Sequence, residues 1–164
     1  MPARHIVCLV LLSANSAFAS PVTELAAGAL ANSEGIDADV FADVTFKRAP
    51  DGFTLRYSRP LGEGGTQRCD ARYRKSGRLA KLSCSIDYFT HSMGPSNRHI
   101  QSSLDRQFSE EGKVTAVSGR FESRSLKDQK VIERRKIVSL DDEMTGDFSK
   151  PLLILDAELL AAPT

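Results

Sequence analysis

Hydrophobic and polar residues alternate with a period of two over most of the chain, the signature of strands buried on one face. The alternation is clearest in residues 66–89, where Ser76-Gly77 supplies a turn between two alternating runs. Folding that stretch into a hairpin sets Tyr73 opposite Ala80, Ala71 opposite Leu82 and Cys69 opposite Cys84. Asp70, Arg72, Arg74, Lys81 and Ser83 then share the polar face. A four-residue loop closed by Arg74 and Leu79 makes Cys69:Cys84 a non-hydrogen-bonded pair, whose Cα atoms approach closely enough for a disulfide. Such a bond closes a loop of about 15 residues and stabilises by ~3 kcal/mol in the chain-entropy model.

The same period extends to both sides of this hairpin. Ile36 to Lys47 reads as one long half-buried strand, and a turn at Ala49-Pro50-Asp51-Gly52 places Phe46 opposite Leu55 and Val44 opposite Tyr57. Residues 99–109 fit a helical stripe and a strand alike. The strand is preferred because Tyr73–Leu82 and Phe108–Val117 carry a glycine and apolar residues in step, as two copies of one hairpin turn. Residues 113–126 and 130–140 predict two more long strands, with a bulge at Gly119 where the apolar positions change phase. Leu152 to Leu155 predicts a short buried strand. The expected fold is therefore all-β: an antiparallel meander of about eight strands forming a small barrel or strongly curved sheet. Ser20-Pro21 opens a short amino-terminal helix that Asn32 to Gly35 ends.

The first 19 residues change the picture of where the protein resides. Basic Arg4, an apolar run from Ile6 to Leu12, and Ala17-Phe18-Ala19 before Ser20-Pro21 follow the layout of a cleaved secretory signal. The apolar run is too short to span a bilayer. Cleavage near Ala19 predicts an exported protein, periplasmic or secreted, with no transmembrane segment in the mature chain. It also removes Cys8, leaving only the two cysteines of the hairpin, which an oxidising compartment pairs. The expected organisation is a signal at 1–19, a helix and linker at 20–35, and one β domain over 36–164.

Charge is segregated along the chain although the net charge is +1. Residues 47–136 hold 20 Lys and Arg against 10 Asp and Glu, while both flanks are acidic. Arg72, Arg74 and Lys81 on the hairpin, with Arg134, Arg135 and Lys136 on a later strand, form a candidate basic surface. Its expected partner is an acidic macromolecule or envelope component: an envelope polymer, a lipid head group or a protein. Nucleic acid is not expected, because tryptophan is absent, Tyr73 points away from the basic face, and the protein is exported. Pairing of the acidic flanks with the basic middle is the simpler competing account.

Candidate chemistry is sparse. His91 and His99 border one loop with Asp87 nearby, a spacing that matches no standard metal-ligand pattern, and no nucleophile stands in a recognisable turn beside them. Asp141, Glu143, Thr145, Gly146 and Asp147 resemble the start of a calcium loop, yet Leu152 occupies the position that needs a bidentate glutamate. No cofactor or catalytic residue is expected. The sequence favours an exported, non-catalytic binding domain, an inhibitor or envelope accessory protein. Alternatives are a barrel that carries an apolar ligand, and a hydrolase using His91 and His99.

Overall fold

Among the residues the structure describes, seven antiparallel strands follow one another in sequence order in a single open sheet. The computed structural model describes residues 20–61, 64–90, 97–139 and 151–163. The strands are β1 (Ala42–Ala49), β2 (Gly52–Leu61), β3 (Gly65–Arg74), β4 (Leu79–Thr90), β5 (Arg98–Phe108), β6 (Val114–Ser125) and β7 (Val131–Ile137). Two helices flank them, α1 (Pro21–Glu34) and α2 (Ala157–Ala161). Helix α1 begins where Ser20 accepts a bond from the Thr23 N–H, and it stops at Gly35 in the left-handed conformation. Its Ala26, Leu30 and Ala31 are buried in the core.

The central hairpin holds the predicted cysteine pairing. Cys69 lies opposite Cys84 and Ala71 opposite Leu82, and the Cys69–Cys84 disulfide joins Cα atoms 4.2 Å apart, the spacing of a non-hydrogen-bonded pair. The turn differs from expectation. Arg74 N–H bonds to Arg78 O and Gly77 N–H to Arg74 O, which makes a three-residue loop with Gly77 at φ +78°. Tyr73 therefore pairs with Leu79 instead of Ala80, and an irregularity between Arg72 and Tyr73 absorbs the extra residue so that the cysteines stay in step.

The sequence echo is a structural one. Ser109 N–H bonds to Lys113 O and Gly112 N–H to Ser109 O, with Gly112 at φ +80° and Phe108 paired with Val114. The β3–β4 and β5–β6 turns are the same device used twice. The second is followed by a register shift between Gln107 and Phe108, and this shift produces the phase change that the sequence places at Gly119. Gly119 itself stays in register opposite Leu104. Its glycine answers a different need, since a Cβ there would stand 2.2 Å from Ser103 O.

Three further expectations are corrected. Among the described residues the sheet has seven strands and is not closed, because residues 152–155 contribute a single bridge, Arg78 with Ile154, instead of an eighth strand. Leu79 N–H to Leu153 O and Leu155 N–H to Gly77 O hold that segment across the β3–β4 turn, followed by α2, which alternation did not predict. The long first strand is interrupted. Ala38–Val40 forms a 3-10 turn, and Asp43 at φ +53° bulges the chain, so that Ala42 pairs with Ser58 while Phe46 keeps its partner Leu55. The acidic run at 141–147, His91 and the amino-terminal 19 residues lie outside the described residues.

One face of the sheet forms the core. The row Tyr57, Cys69, Cys84, Leu104, Gly119, Ile137 crosses six strands, and Phe53, Leu55, Leu82, Ile86 and Phe121 extend it. The other face is polar along the central strands apart from Phe89 at the end of β4, and it carries the candidate site.

Candidate functional site

Because the strands pair in register, polar-face residues fall into cross-strand rows. The middle row runs Ser58, Arg68, Ser85, Ser103, Arg120, Lys136. One flanking row runs Arg56, Asp70, Ser83, Asp105, Ser118, and the other includes Asp87, Gln101, Glu122 and Arg134. Alternation along each strand and register between strands are thus sufficient to bring residues from six strands side by side.

Most charges on this face neutralise one another. Asp70 pairs with Arg56 at 2.6 Å and Arg72 at 3.9 Å. Asp105 accepts a bond from the Ser83 hydroxyl and lies 3.6 Å from Lys81. Glu122 meets Arg124 and Arg134, each at 2.6 Å, and the Arg134 bond followed by the Arg124 bond holds its carboxyl below the ordinary 4.5. Asp87 lies 2.8 Å from His99 Nε2 and accepts a bond from Gln101 at 3.0 Å. Burial pushes the Asp87 carboxyl upward, but the Gln101 and His99 bonds together outweigh it and leave the group below its ordinary value.

Three cations of the middle row stand apart. Arg68, Arg120 and Lys136 are exposed and form no ion pair among the described residues, and Arg68 influences Asp87 only at longer range. Ser85 and Ser103, between Arg68 and Arg120, have hydroxyls without a hydrogen-bond partner among the described residues. The short serines leave space beneath the long side chains. Two clefts, of about 600 Å³ and 950 Å³, open on this face and meet at Arg68, Ser85 and Ser103.

The six basic residues singled out in the sequence divide in two. Arg72, Lys81, Arg134 and Lys136 lie on the polar face. Arg74 turns toward the hairpin ends, donating to Leu79 O at 2.8 Å and Phe108 O at 2.7 Å and pairing with Glu110 at 2.8 Å. Arg135 occupies the opposite face, with its guanidinium 5.3 Å from the Phe121 ring centre. Sequence reasoning passed over Arg68 and Arg120. Arg68 was accessible from alternation with Asp70 and Arg72, whereas Arg120 needed the phase change placed before Gly119.

His99 is built into the face: Asp87 holds Nε2, and Phe89 stacks on the ring at 4.7 Å. Among the described residues no group of three or more His, Cys, Asp or Glu is arranged to hold a metal ion. No described helix is long and apolar enough to cross a membrane. Comparison with known proteins gives no matching family model, no matching curated protein and no matching solved structure.

Proposed function

We propose that the protein is an exported, non-catalytic binding domain that takes an acidic partner on the polar face of its sheet. The observation that carries this reading is the middle row: Arg68, Arg120 and Lys136 are exposed over two joined clefts and have no ion pair among the described residues. Cations already matched to a carboxylate gain little from a second one, while unmatched cations attract and orient an anion. Arg72, Lys81 and Arg134 form the rim of the same surface. Arg74 and Arg135 make contacts elsewhere and are left out of it. The disulfide is compatible with export, and the signal-like first 19 residues support it.

The reading that places an apolar cargo inside a barrel has less to draw on. The sheet is open, and its inner face is filled by Phe53, Leu55, Leu82, Leu104 and Phe121.

The test is binding of the folded chain to poly-L-glutamate at low and high salt. Binding that weakens steeply with salt and is lost in Arg68→Ala/Arg120→Ala/Lys136→Ala, but persists in Arg72→Ala/Lys81→Ala, is the expected result. Equal losses in both variants, or no binding at low salt, would overturn the reading.

A further inference from the structure

The middle row has a composition that narrows the acidic partner further. Strands lie about 4.8 Å apart, so Arg68 and Arg120, three strand steps from one another, have Cα atoms roughly 14 Å apart. Ser85 and Ser103 occupy the two positions between them. Both arginines line one cleft together with Ser85 and Ser103, so an anion seated there lies between two guanidinium groups and above the serine pair. Lys136 stands beside Arg120 as a further positive charge.

This set of donors has a chemical preference. A carboxylate is planar and presents two oxygens, whose lone pairs lie in that one plane. Two opposed forks above a pair of hydroxyls match a tetrahedral group with three acceptor oxygens. The nearby carboxylates do not oppose it as bare charges: Asp87 is held by His99 and Gln101, Asp105 by Lys81 and Ser83, and Glu122 by Arg124 and Arg134.

We infer that Arg68 and Arg120, over the hydroxyls of Ser85 and Ser103, form a binding site for a phosphoryl group. The inference rests on the reading of this face as an acidic-partner surface and deepens it from acidic to phosphorylated. The same chemistry is offered by a phospholipid head group and by a free phosphorylated polymer or metabolite.

The experiment is a titration of the isotope-labelled protein, disulfide intact, followed by NMR. The probes are inorganic phosphate, glycerol phosphate, acetate and poly-L-glutamate, with a parallel sedimentation assay on phosphatidylglycerol–phosphatidylcholine vesicles. Phosphate and glycerol phosphate are expected to shift the resonances of Arg68, Ser85, Ser103 and Arg120 at concentrations where acetate does not. Ser85→Ala/Ser103→Ala is expected to weaken phosphate binding roughly tenfold while leaving poly-L-glutamate binding within about twofold. Ser85→Thr/Ser103→Thr keeps the hydroxyls and should retain phosphate binding, which separates a lost donor from a disturbed strand.

Sedimentation with vesicles together with the glycerol phosphate response supports a lipid head group. The glycerol phosphate response without sedimentation supports a free phosphorylated ligand. Binding of poly-L-glutamate without any phosphate response at these four residues overturns the phosphoryl site and leaves the acidic-partner surface standing. Binding of neither probe overturns both.

Discussion

Arg74, on the first of the two matching hairpins, donates a 2.7 Å bond to the carbonyl of Phe108 on the second. It also donates to Leu79 O and pairs with Glu110, so one guanidinium ties both turns together at the same end of the sheet. Truncation leaves two carbonyls without a donor, each in a partly buried setting. Arg74→Ala is expected to lower stability by about 2 kcal/mol in urea denaturation, and Arg74→Lys to restore little, because a single ammonium does not reproduce the fork. Binding of poly-L-glutamate by the folded variant should be unchanged. A stable Arg74→Ala that loses binding would move this residue from scaffold to surface.

The disulfide spans 15 residues and bridges adjacent central strands. Reducing it, or substituting Cys69→Ala/Cys84→Ala, should lower stability by ~3 kcal/mol through the freedom returned to the unfolded chain. The readout is the denaturant midpoint with and without reductant. An unchanged midpoint would show that the pairing contributes nothing to the fold.

Gly119 lies where β5 and β6 approach too closely for a side chain, with Ser103 O 2.2 Å from the position of a Cβ. Gly119→Ala forces the backbones of two strands apart and is expected to cost about 2 kcal/mol or more. The displacement falls at Ser103, so phosphate and poly-L-glutamate binding should weaken as well. Wild-type stability in this variant would mean that the β5–β6 register is different.

Glu122 supplies a pH dependence whose sign follows from its partners. Arg134 and Arg124 hold the carboxyl below 4.5, so the folded state binds the proton less readily than the unfolded chain does. The stabilisation is complete above about pH 4.5 and is lost as the pH falls from there through the lower folded value. A carbon-detected titration of the Glu122 side chain checks this, and Arg134→Ala should move its midpoint upward. A wild-type midpoint at or above 4.5 would contradict the pairing across β6 and β7.

Alternation exposed most of this architecture, because a half-buried strand writes its period directly into the sequence. Cys69 opposite Cys84, Phe46 opposite Leu55 and the helix after Ser20 were all legible. What alternation does not contain is the place where a strand gains a residue. Asp43 bulges with no glycine to announce it, and the register shift at Gln107–Phe108 was misplaced to Gly119, whose glycine serves close packing instead. Closure was equally hidden, since Leu152 to Leu155 is apolar enough for a strand but makes one bridge. The candidate site suffered from the same blindness. A basic residue's neighbours across the sheet decide whether it is matched, and only register shows that Asp70 and Glu122 lie opposite Arg56 and Arg134, with Asp105 diagonal to Lys81, while Arg68 and Arg120 are left over.

The most direct test of the acidic-partner surface is where on the protein poly-L-glutamate acts, read as a map of NMR shift changes on the folded, oxidised chain at low salt. The account predicts changes concentrated at Arg68, Ser85, Ser103, Arg120 and Lys136, fading as salt is added. Changes confined to the β1 edge or to the α1 side of the sheet, with this row silent, would contradict it.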